Sequence, residues 1–405
     1  MNLIKAGSIS ALSILLMVFG SFAVHAQTTQ LRVATFNASF DRQEAGQLSK
    51  EMQSGNVPQI ERVAEIIQRV APDVLLITEF DNDGEGKDQQ VMKDFLKNYL
   101  ARSYNHSTPI AYPYFYLVAT NTGKLTKVDR NGDGKLSLPM DSYGFGTFHG
   151  QYAFAVLSQY PLLTDEQRTF QTFLWKNMPN AVLPDAKLGS GKGDYFSKEV
   201  LSDFRLSSKN HLDLPIDING KRLHLLAMHP TPPVFDGPED RNGRRNHDEI
   251  RLFADYISLD PANSSYLVDD QGNRGGLSQD ARFVLMGDFN ADPIDGDSFQ
   301  ASINQLLNHP RVHKETAIGS RVPQSAGGQQ YRTSKSVKGE SRFWTHVYPL
   351  RLDYVLPSSN VEVIKSGVFW PAKGSKLRYL VEDEAGNQAK QVSSDHRLVW
   401  VDIKL

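Results

Sequence analysis

Several segments of this chain place a carboxylate, an amide or an imidazole directly after an apolar run. The clearest is Gly287-Asp288-Phe289-Asn290, which follows the apolar residues 283–286. Two side chains separated by one residue project to the same side of an extended backbone, so Asp288 and Asn290 can address one chemical group together. An Asx turn that only closes a strand is the alternative interpretation, because Asp and Asn both favour turns.

A second polar segment, Ser393-Ser394-Asp395-His396, comes just before the strand-like residues 398–403. It offers a carboxylate and an imidazole at adjacent positions, although a polar loop before an edge strand has the same composition. Asp353 lies within the otherwise apolar residues 352–356. Because a buried charge is costly unless it is paired, we predict that Asp353 has a partner, and His396 is the natural candidate.

Three further polar residues end apolar runs, namely Asn37 after residues 31–36, Glu79 after 74–77 and His229 after 222–228. Alone, each is ambiguous, since a strand-end histidine is more often structural and a strand-end carboxylate is often solvated. Together they supply oxygen ligands for a hard cation such as Mg²⁺, and an imidazole for proton transfer or charge stabilisation. These are the groups that metal-assisted hydrolysis of a phosphoester requires.

The elements that must position these residues alternate between strands and helices. Residues 31–36 and 74–77 are predicted strands, and residues 60–70 between them have helical spacing of apolar side chains up to Pro72. Further predicted strands cover residues 152–157, 222–228, 283–286 and 352–356, with a helix over 249–257. This alternation indicates an α/β architecture. Residues 27–405 are predicted to form one domain, with loop insertions near 121–146 and 183–210.

The order of these motifs resembles the endonuclease/exonuclease/phosphatase superfamily, from about residue 31 to the C-terminus. The blocks Gly-Asp-Phe-Asn and Ser-Asp-His are specific when they occur in this order. The resemblance implies a four-layer sandwich, α/β (α+β) in class, in which two facing mixed β-sheets are flanked by helices. The motif residues, in chain order, are Asn37, Glu79, Ser158, His229, Asp288, Asn290, Asp353, Asp395 and His396.

The resemblance also implies a separate role for each of these residues. Asn37 and Glu79 would contact a divalent cation, Mg²⁺ or Mn²⁺, and Asp395 would lie near it. Asp288 would orient or deprotonate the attacking water, assisted by Asn290. The reaction is therefore expected to proceed by a single in-line attack of water on phosphorus.

The same resemblance assigns the remaining polar residues. His229 would contact the phosphate, and Asp353 would hold His396, which stabilises the phosphoryl transition state or takes part in proton transfer. Two positions depart from the apurinic endonuclease branch, since Ser39 stands near an acidic residue of that branch and Gln151 near its active-site tyrosine. These differences weaken the interpretation of this chain as a DNA-repair enzyme.

The N-terminus indicates export. Lys5 precedes the mostly apolar residues 9–24, and Val24-His25-Ala26 has the small residues of a signal peptidase site. We predict a signal peptide over residues 1–26, cleaved after Ala26, so that the mature protein is periplasmic or secreted and has no membrane anchor. The alternative is a transmembrane helix, for which the run is short of the required ~20 residues. The chain has no cysteine, so its stability must come from the core, with bound metal as a further contributor.

A loop resembling the first half of an EF-hand lies within the first predicted insertion. Asp129, Asn131 and Asp133 occupy its positions one, three and five, and Gly134 follows. Position twelve is Met140 instead of the usual Glu. A structural Ca²⁺ site and a plain Asx/Gly loop are both compatible with this pattern.

A Pro/Gly-rich segment, residues 231–246, follows His229 directly. One interpretation is a rigid loop in which Arg241, Arg244 and Arg245 reach substrate phosphate, because the planar guanidinium suits phosphate oxygens. The composition slightly favours the other interpretation, a solvated loop in which these arginines pair with the nearby carboxylates Glu239, Asp240 and Asp248.

The net charge of −2 gives no support to a nucleic-acid substrate, since proteins that bind duplex DNA usually have a basic face. We therefore expect an exported phosphatase or phosphodiesterase acting on a small phosphoester. A secreted nuclease is the first alternative, and a non-catalytic binding protein with the same fold is the second. No protein partner is predicted.

Overall fold

A computed structural model describes residues 29–405, so the predicted signal peptide lies outside the described residues. The strands are β1 (Gln30–Phe40), β2 (Val74–Phe80), β3 (Tyr114–Leu117), β4 (Phe154–Ser158), β5 (Arg168–Thr169), β6 (His211–Ile218), β7 (Lys221–Met228), β8 (Phe283–Asp288), β9 (Asp353–Pro357), β10 (Glu362–Val368) and β11 (Val399–Lys404). The α-helices are α1 (Gln47–Ser54), α2 (Pro58–Val70), α3 (Gln90–Phe95), α4 (Lys198–Asp203), α5 (Arg241–Tyr256), α6 (Pro261–Ser264), α7 (Asn304–Leu307), α8 (Lys314–Ala317) and α9 (Ala326–Gln330). A π-helical segment, Leu96–Leu100, continues α3, and short 3-10 helices cover Thr164–Glu166, Trp175–Asn177, Phe299–Ala301, Ser341–Phe343 and Arg378–Leu380.

The strands form two mixed sheets. The first has the order β10-β11-β1-β2-β4-β3, with β1 and β2 parallel and the other neighbours antiparallel. The second has the order β5-β6-β7-β8-β9, in which only β7 and β8 are parallel among the described strands. Parallel pairing brings the ends of β1 and β2 to one edge, and the antiparallel pair β8–β9 aligns Asp288 with Asp353.

Alternating side chains assign the faces of the second sheet. In β8, Val284 and Met286 belong to the core between the two sheets, whereas Phe283 and Leu285 belong to a second core that contains Phe253 of α5. Helix α2 packs its buried apolar residues against the first sheet. The layers are therefore helix, sheet, sheet and helix, which confirms the predicted four-layer sandwich.

The two sheets meet where β1 packs against β8 and β9. At the end of β8, Gly287 has φ 148°, and a Cβ atom there would lie 1.9 Å from the carbonyl oxygen of Met228 in β7. Only glycine fits this close approach of two backbones. The close packing fixes the polar residues at the end of β8 relative to those at the end of β7.

The predicted helix over 60–70 is confirmed as Pro58–Val70, but the predicted helix start at residue 249 is wrong, because α5 begins at Arg241. Its N-terminal half buries polar residues such as Asn246 and Asp248, so the apolar periodicity that marks a helix is missing there. The strand predicted over 152–157 starts later, at Phe154, because Tyr152 has φ 59°. No helix among residues 29–405 has the length and apolar character needed to cross a bilayer.

Candidate active site

The site lies where the ends of β1, β2 and β8 meet. The buried side chain of Asn37 donates from Nδ2 to Oδ2 of Asp288 across the two sheets, at 3.1 Å. Asn37 also acts on Glu79 at the end of β2, because its side chain lowers the pKa of that carboxyl against the larger, opposing effect of burial. One amide group thus joins two strand ends that lie 251 positions apart in the sequence.

Asp288 is the centre of the cluster. Its Oδ1 accepts a hydrogen bond from the backbone amide of Asn290 at 3.0 Å. Its Oδ2 lies 3.5 Å from Nε2 of His229 and 3.7 Å from Nε2 of His396. Burial is the largest cause of a raised Asp288 pKa, and the His396 charge opposes it. A carboxylate with a raised pKa is a stronger base than an ordinary aspartate, as proton abstraction from water requires.

The predicted pairing of Asp353 with His396 is present. Nδ1 of His396 lies 2.9 Å from Oδ2 of Asp353, and both residues are buried. Burial by itself would lower the pKa of His396, but the charges of Asp353 and Asp288 outweigh it and raise the pKa to about 10. Thr345 accepts the backbone amide hydrogen bond of Asp353 at 3.0 Å and so fixes the start of β9. His396 is therefore a positively charged imidazole held by a carboxylate.

The pKa of His229 is shifted in the opposite direction to that of His396. Burial lowers its pKa well below the ordinary value, and the charges of Lys209 and His396 lower it further. Its Nδ1 atom is buried and has no hydrogen-bond partner among the described residues. The pKa values of the two imidazoles beside Asp288 are therefore shifted in opposite directions.

Asp395 completes the open side of the site. Its Oδ1 accepts a hydrogen bond from the Ser39 hydroxyl at 2.9 Å, and its Oδ2 lies 3.5 Å from Nε2 of His346. The His346 and His396 rings are in edge contact, with centroids 4.4 Å apart. Sequence analysis missed His346, because it does not end an apolar run and lies 49 positions before Asp395 in the chain.

The carboxylates of this cluster fit a divalent cation. Burial and the negative charges of Asp41 and Asp395 raise the pKa of the partly exposed Glu79 to about 8. Such repulsion is relieved when a cation binds between carboxylates, and Mg²⁺ prefers carboxylate and amide oxygens. These oxygens are those of Glu79, Asp395 and Asn37.

Two groups of side chains in residues 29–405 have ligand atoms within 4.8 Å of one another: His346, Asp395 and His396, and Asp288, Asp353 and His396. Glu79 belongs to neither group, although it lies within electrostatic range of Asp395. Because Nδ1 of His396 faces Asp353 and its Nε2 faces Asp288, His396 is engaged on both sides. The oxygen atoms of Asn37, Glu79 and Asp395 are therefore better candidates for holding a cation than His396.

Backbone strain is concentrated at the strand ends of this site. Ser39, Glu79 and Asn290 all have positive φ, between 49° and 55°. Side chains other than glycine rarely adopt this conformation, and it is retained mainly where the surrounding structure imposes it. Each strand end thus turns its polar residue out of the sheet and into the shared site.

Lys209 is a second residue that sequence analysis missed. Its side chain is buried, and its ammonium has one long contact, 3.4 Å, to the carbonyl of Pro230. The amide Nδ2 of Asn290 donates to the same carbonyl at 3.2 Å, which places Lys209 beside the site. Burial lowers the pKa of Lys209, whereas the charges of Glu249 and Asp288 raise it. No apolar run precedes Lys209, so the pattern that identified the other residues gave no signal here.

The predicted substrate arginines have other roles. Arg245 is buried, and its guanidinium donates to the backbone carbonyls of Leu206, Tyr143 and Arg205 at 2.7–2.9 Å. The prediction of a phosphate contact for Arg245 is therefore wrong, because its donors are occupied inside the protein.

Arg241 and Arg244 lie in the first turns of α5 instead of in a loop. Arg241 pairs with Glu239, and Arg244 stacks over the ring of Phe299 with its Nη1 3.4 Å from the carbonyl of Leu183. The predicted alternative, pairing with nearby carboxylates, describes Arg241.

The loop around Asp129 is closed by its own hydrogen bonds. Asp129 accepts from the backbone amides of Gly132 and Gly134 at 2.7 Å, and Asn131 accepts from that of Asp133 at 3.1 Å. Residues 121–146 contain neither helix nor strand, so no helix flanks the loop. The Asx/Gly loop describes this geometry, and calcium binding stays a prediction.

The sequence and the fold of this chain are similar to those of known proteins. A model of the Endonuclease/Exonuclease/phosphatase family matches residues 34–396. This range includes all the motif residues from Asn37 to His396. No relative was found among curated proteins.

Solved structures with a similar fold include an endonuclease/exonuclease/phosphatase from Beutenbergia cavernae DSM 12333, with 16% identity, a TM-score of 0.45, and coverage of 93% of this chain and 72% of that chain. A family protein from Leptotrichia buccalis C-1013-b has 14% identity, a TM-score of 0.45, and coverage of 93% and 100%. A beta toxin variant from Staphylococcus aureus with bound magnesium ions has 14% identity, a TM-score of 0.40, and coverage of 92% and 99%. At these identities the likeness concerns the fold alone.

Proposed function

Because this chain belongs to the Endonuclease/Exonuclease/phosphatase family, we propose that it hydrolyses phosphoester bonds with the help of a divalent cation, Mg²⁺ or Mn²⁺. The observation that carries the proposal is the buried cluster in which Asn37 donates to Asp288 across the two sheets, with His229 and His396 at 3.5 Å and 3.7 Å from the same carboxylate. A fold that had lost catalysis would have no need to keep this costly group of buried charges together.

The proposed chemistry begins with water. Asp288 accepts a proton from a water molecule, and the resulting hydroxide attacks phosphorus in line with the leaving oxygen. Asn290 holds its side chain beside Asp288 through the carbonyl of Pro230 and orients the water. His229, whose Nε2 lies 3.5 Å from Oδ2 of Asp288, contacts a phosphoryl oxygen.

Positively charged groups stabilise the negative charge that develops on the phosphoryl group. His396 is protonated and held by Asp353, so it stabilises negative charge on the phosphoryl oxygens. Lys209 adds a second positive charge from the Asn290 side. Asn37, Glu79 and Asp395 would hold the divalent cation, which would supply positive charge for the phosphoryl oxygens and for the leaving oxygen.

We favour a small phosphoester as substrate, on the ground of the near-balanced charge of the chain. The test is a panel of substrates with purified mature protein: bis(4-nitrophenyl) phosphate, 4-nitrophenyl phosphate, single- and double-stranded DNA, and RNA. Hydrolysis of a small ester that is lost in EDTA and restored by Mg²⁺ supports the proposal. Cleavage of DNA or RNA with strong salt dependence favours the nuclease alternative instead.

Glu79→Gln and His396→Ala are the control variants for this panel. Both should remove activity without unfolding the protein, because they lie at the strand ends and not in either apolar core. If wild type and both variants show equal, metal-independent rates, the observed hydrolysis belongs to a contaminant, and the non-catalytic alternative prevails.

We propose further that the enzyme acts after export. The support is the apolar run over residues 9–24 after Lys5, followed by the small residues of Val24-His25-Ala26. N-terminal sequencing of the protein recovered from the periplasm or medium should begin at Gln27. Recovery of full-length chain in the cytoplasm only would contradict export and leave the catalytic proposal unaffected.

A further inference from the structure

His346 lies beside the site on a segment that the backbone fixes against the Asp395 segment. The amide of Val347 donates to the carbonyl of Asp395 at 2.9 Å, and the amide of Arg397 donates to the carbonyl of Thr345 at 2.7 Å. His346 and His396 form the bridge between these hydrogen bonds. The backbone of His346 therefore cannot shift relative to Asp395 without breaking both bonds.

The tautomer of His346 follows from its neighbours. Nδ1 accepts a hydrogen bond from the backbone amide of Tyr348 at 2.9 Å, while the Tyr348 carbonyl is farther away, at 3.3 Å. A backbone amide can only donate, so Nδ1 carries the lone pair and the ring proton is on Nε2. The Nε2 proton therefore faces Oδ2 of Asp395, 3.5 Å away.

Each oxygen of Asp395 thus has a neighbouring donor. Ser39 donates to Oδ1 at 2.9 Å, and His346 presents its Nε2 proton to Oδ2. Groups that hydrogen-bond to a metal-binding carboxylate orient it and tune its affinity for the metal. Without His346, rotation about the Cβ–Cγ bond of Asp395 is opposed from one side only.

We propose that His346 is a positioning residue that holds the Asp395 carboxylate toward the bound cation. The inference rests on the proposed function in one respect, that Asp395 is a cation ligand. His346 acts through Asp395, because its Nδ1 accepts a hydrogen bond from the Tyr348 amide and its Nε2 faces the carboxylate. A substitution that restores the Nε2 donor should therefore restore cation binding.

The test compares His346→Gln with His346→Asn in the mature protein. The glutamine amide nitrogen can occupy the position of Nε2, whereas the asparagine amide reaches only the position of Nδ1. Affinity for Mg²⁺ alone, measured by isothermal titration calorimetry, should fall about 10–100-fold in His346→Asn and stay within a few-fold of wild type in His346→Gln. The melting temperature of each protein in EDTA serves as the control for folding.

Equal Mg²⁺ affinity in wild type and both variants, or an equal loss in both variants, would overturn the inference. A second arm combines His346→Asn with Asp395→Asn. Since His346 acts through Asp395, the double variant should bind Mg²⁺ no more weakly than Asp395→Asn alone, and an additive loss would overturn the inference. Absence of Mg²⁺ binding by the wild type would remove the proposed function as well, so the two failures are distinguishable.

Discussion

Asp353→Asn tests whether a carboxylate keeps His396 charged. The substitution preserves shape and removes one buried negative charge, 2.9 Å from Nδ1 of His396. A hydrogen bond to a charged group contributes about 1.5–3 kcal/mol, and about 1.4 kcal/mol corresponds to a factor of ten in rate. If the charged imidazole acts in the transition state, kcat should fall about 10–100-fold at neutral pH.

The loss of kcat caused by Asp353→Asn should depend on pH in a defined direction. In the wild type the pKa of His396 is raised to about 10, chiefly by Asp353 and Asp288 against the opposing effect of burial. Loss of the Asp353 charge lowers that pKa, so the variant loses its protonated imidazole as pH rises. The ratio of wild-type to variant kcat should therefore increase from about pH 6 to about pH 9.

The assay is hydrolysis of bis(4-nitrophenyl) phosphate at saturating Mg²⁺, with the product quantified after quenching at one fixed pH. The control is Asp353→Asn in a His396→Ala background. It should change kcat little further, because the imidazole on which Asp353 acts is absent. A ratio that stays constant or decreases with pH would refute the argument that Asp353 maintains the charge of His396.

Three other substitutions test separate parts of the account. Lys209→Met should raise the melting temperature and lower kcat/KM, because it removes a buried charge that has one weak contact; a lower melting temperature with unchanged kcat/KM would contradict this. Gly287→Ala should destabilise the protein by about 3 kcal/mol or more, whereas Gly220→Ala, also at positive φ but in open space, should cost less in chemical denaturation. Arg245→Met should lower the free energy of unfolding by about 3 kcal/mol or more, because it leaves buried carbonyls unpaired. KM should be unchanged in the folded fraction. The control Arg241→Met should lower the free energy of unfolding by less.

The strand-end residues could be predicted from the sequence because a simple rule places them. Apolar runs predict strands, and the ends of neighbouring strands share an edge, so Asn37, Glu79 and Asp288 were expected near one another. The pairing of Asp353 with His396 could be predicted from the cost of burying an unpaired charge. In these cases local pattern and physical cost were sufficient.

The residues that were missed depend on long-range packing. His346 reaches Asp395 through backbone hydrogen bonds between segments that no local pattern connects. Lys209 is buried by the fold of its loop and not by an apolar neighbourhood in sequence. The start of α5 was misjudged because Arg245 and its neighbours bury polar groups that bond to the backbone of other segments. Such polar burial has no periodic signature.

The measurement that most directly tests the central claim is the location of a divalent cation in a crystal of the mature protein grown with Mg²⁺. Our account predicts an ion with oxygen ligands from Glu79, Asp395 and Asn37, at about 2.0–2.1 Å where the contact is direct. An ion bound only between the imidazoles of His346 and His396, or found only in the loop around Asp129, would contradict it.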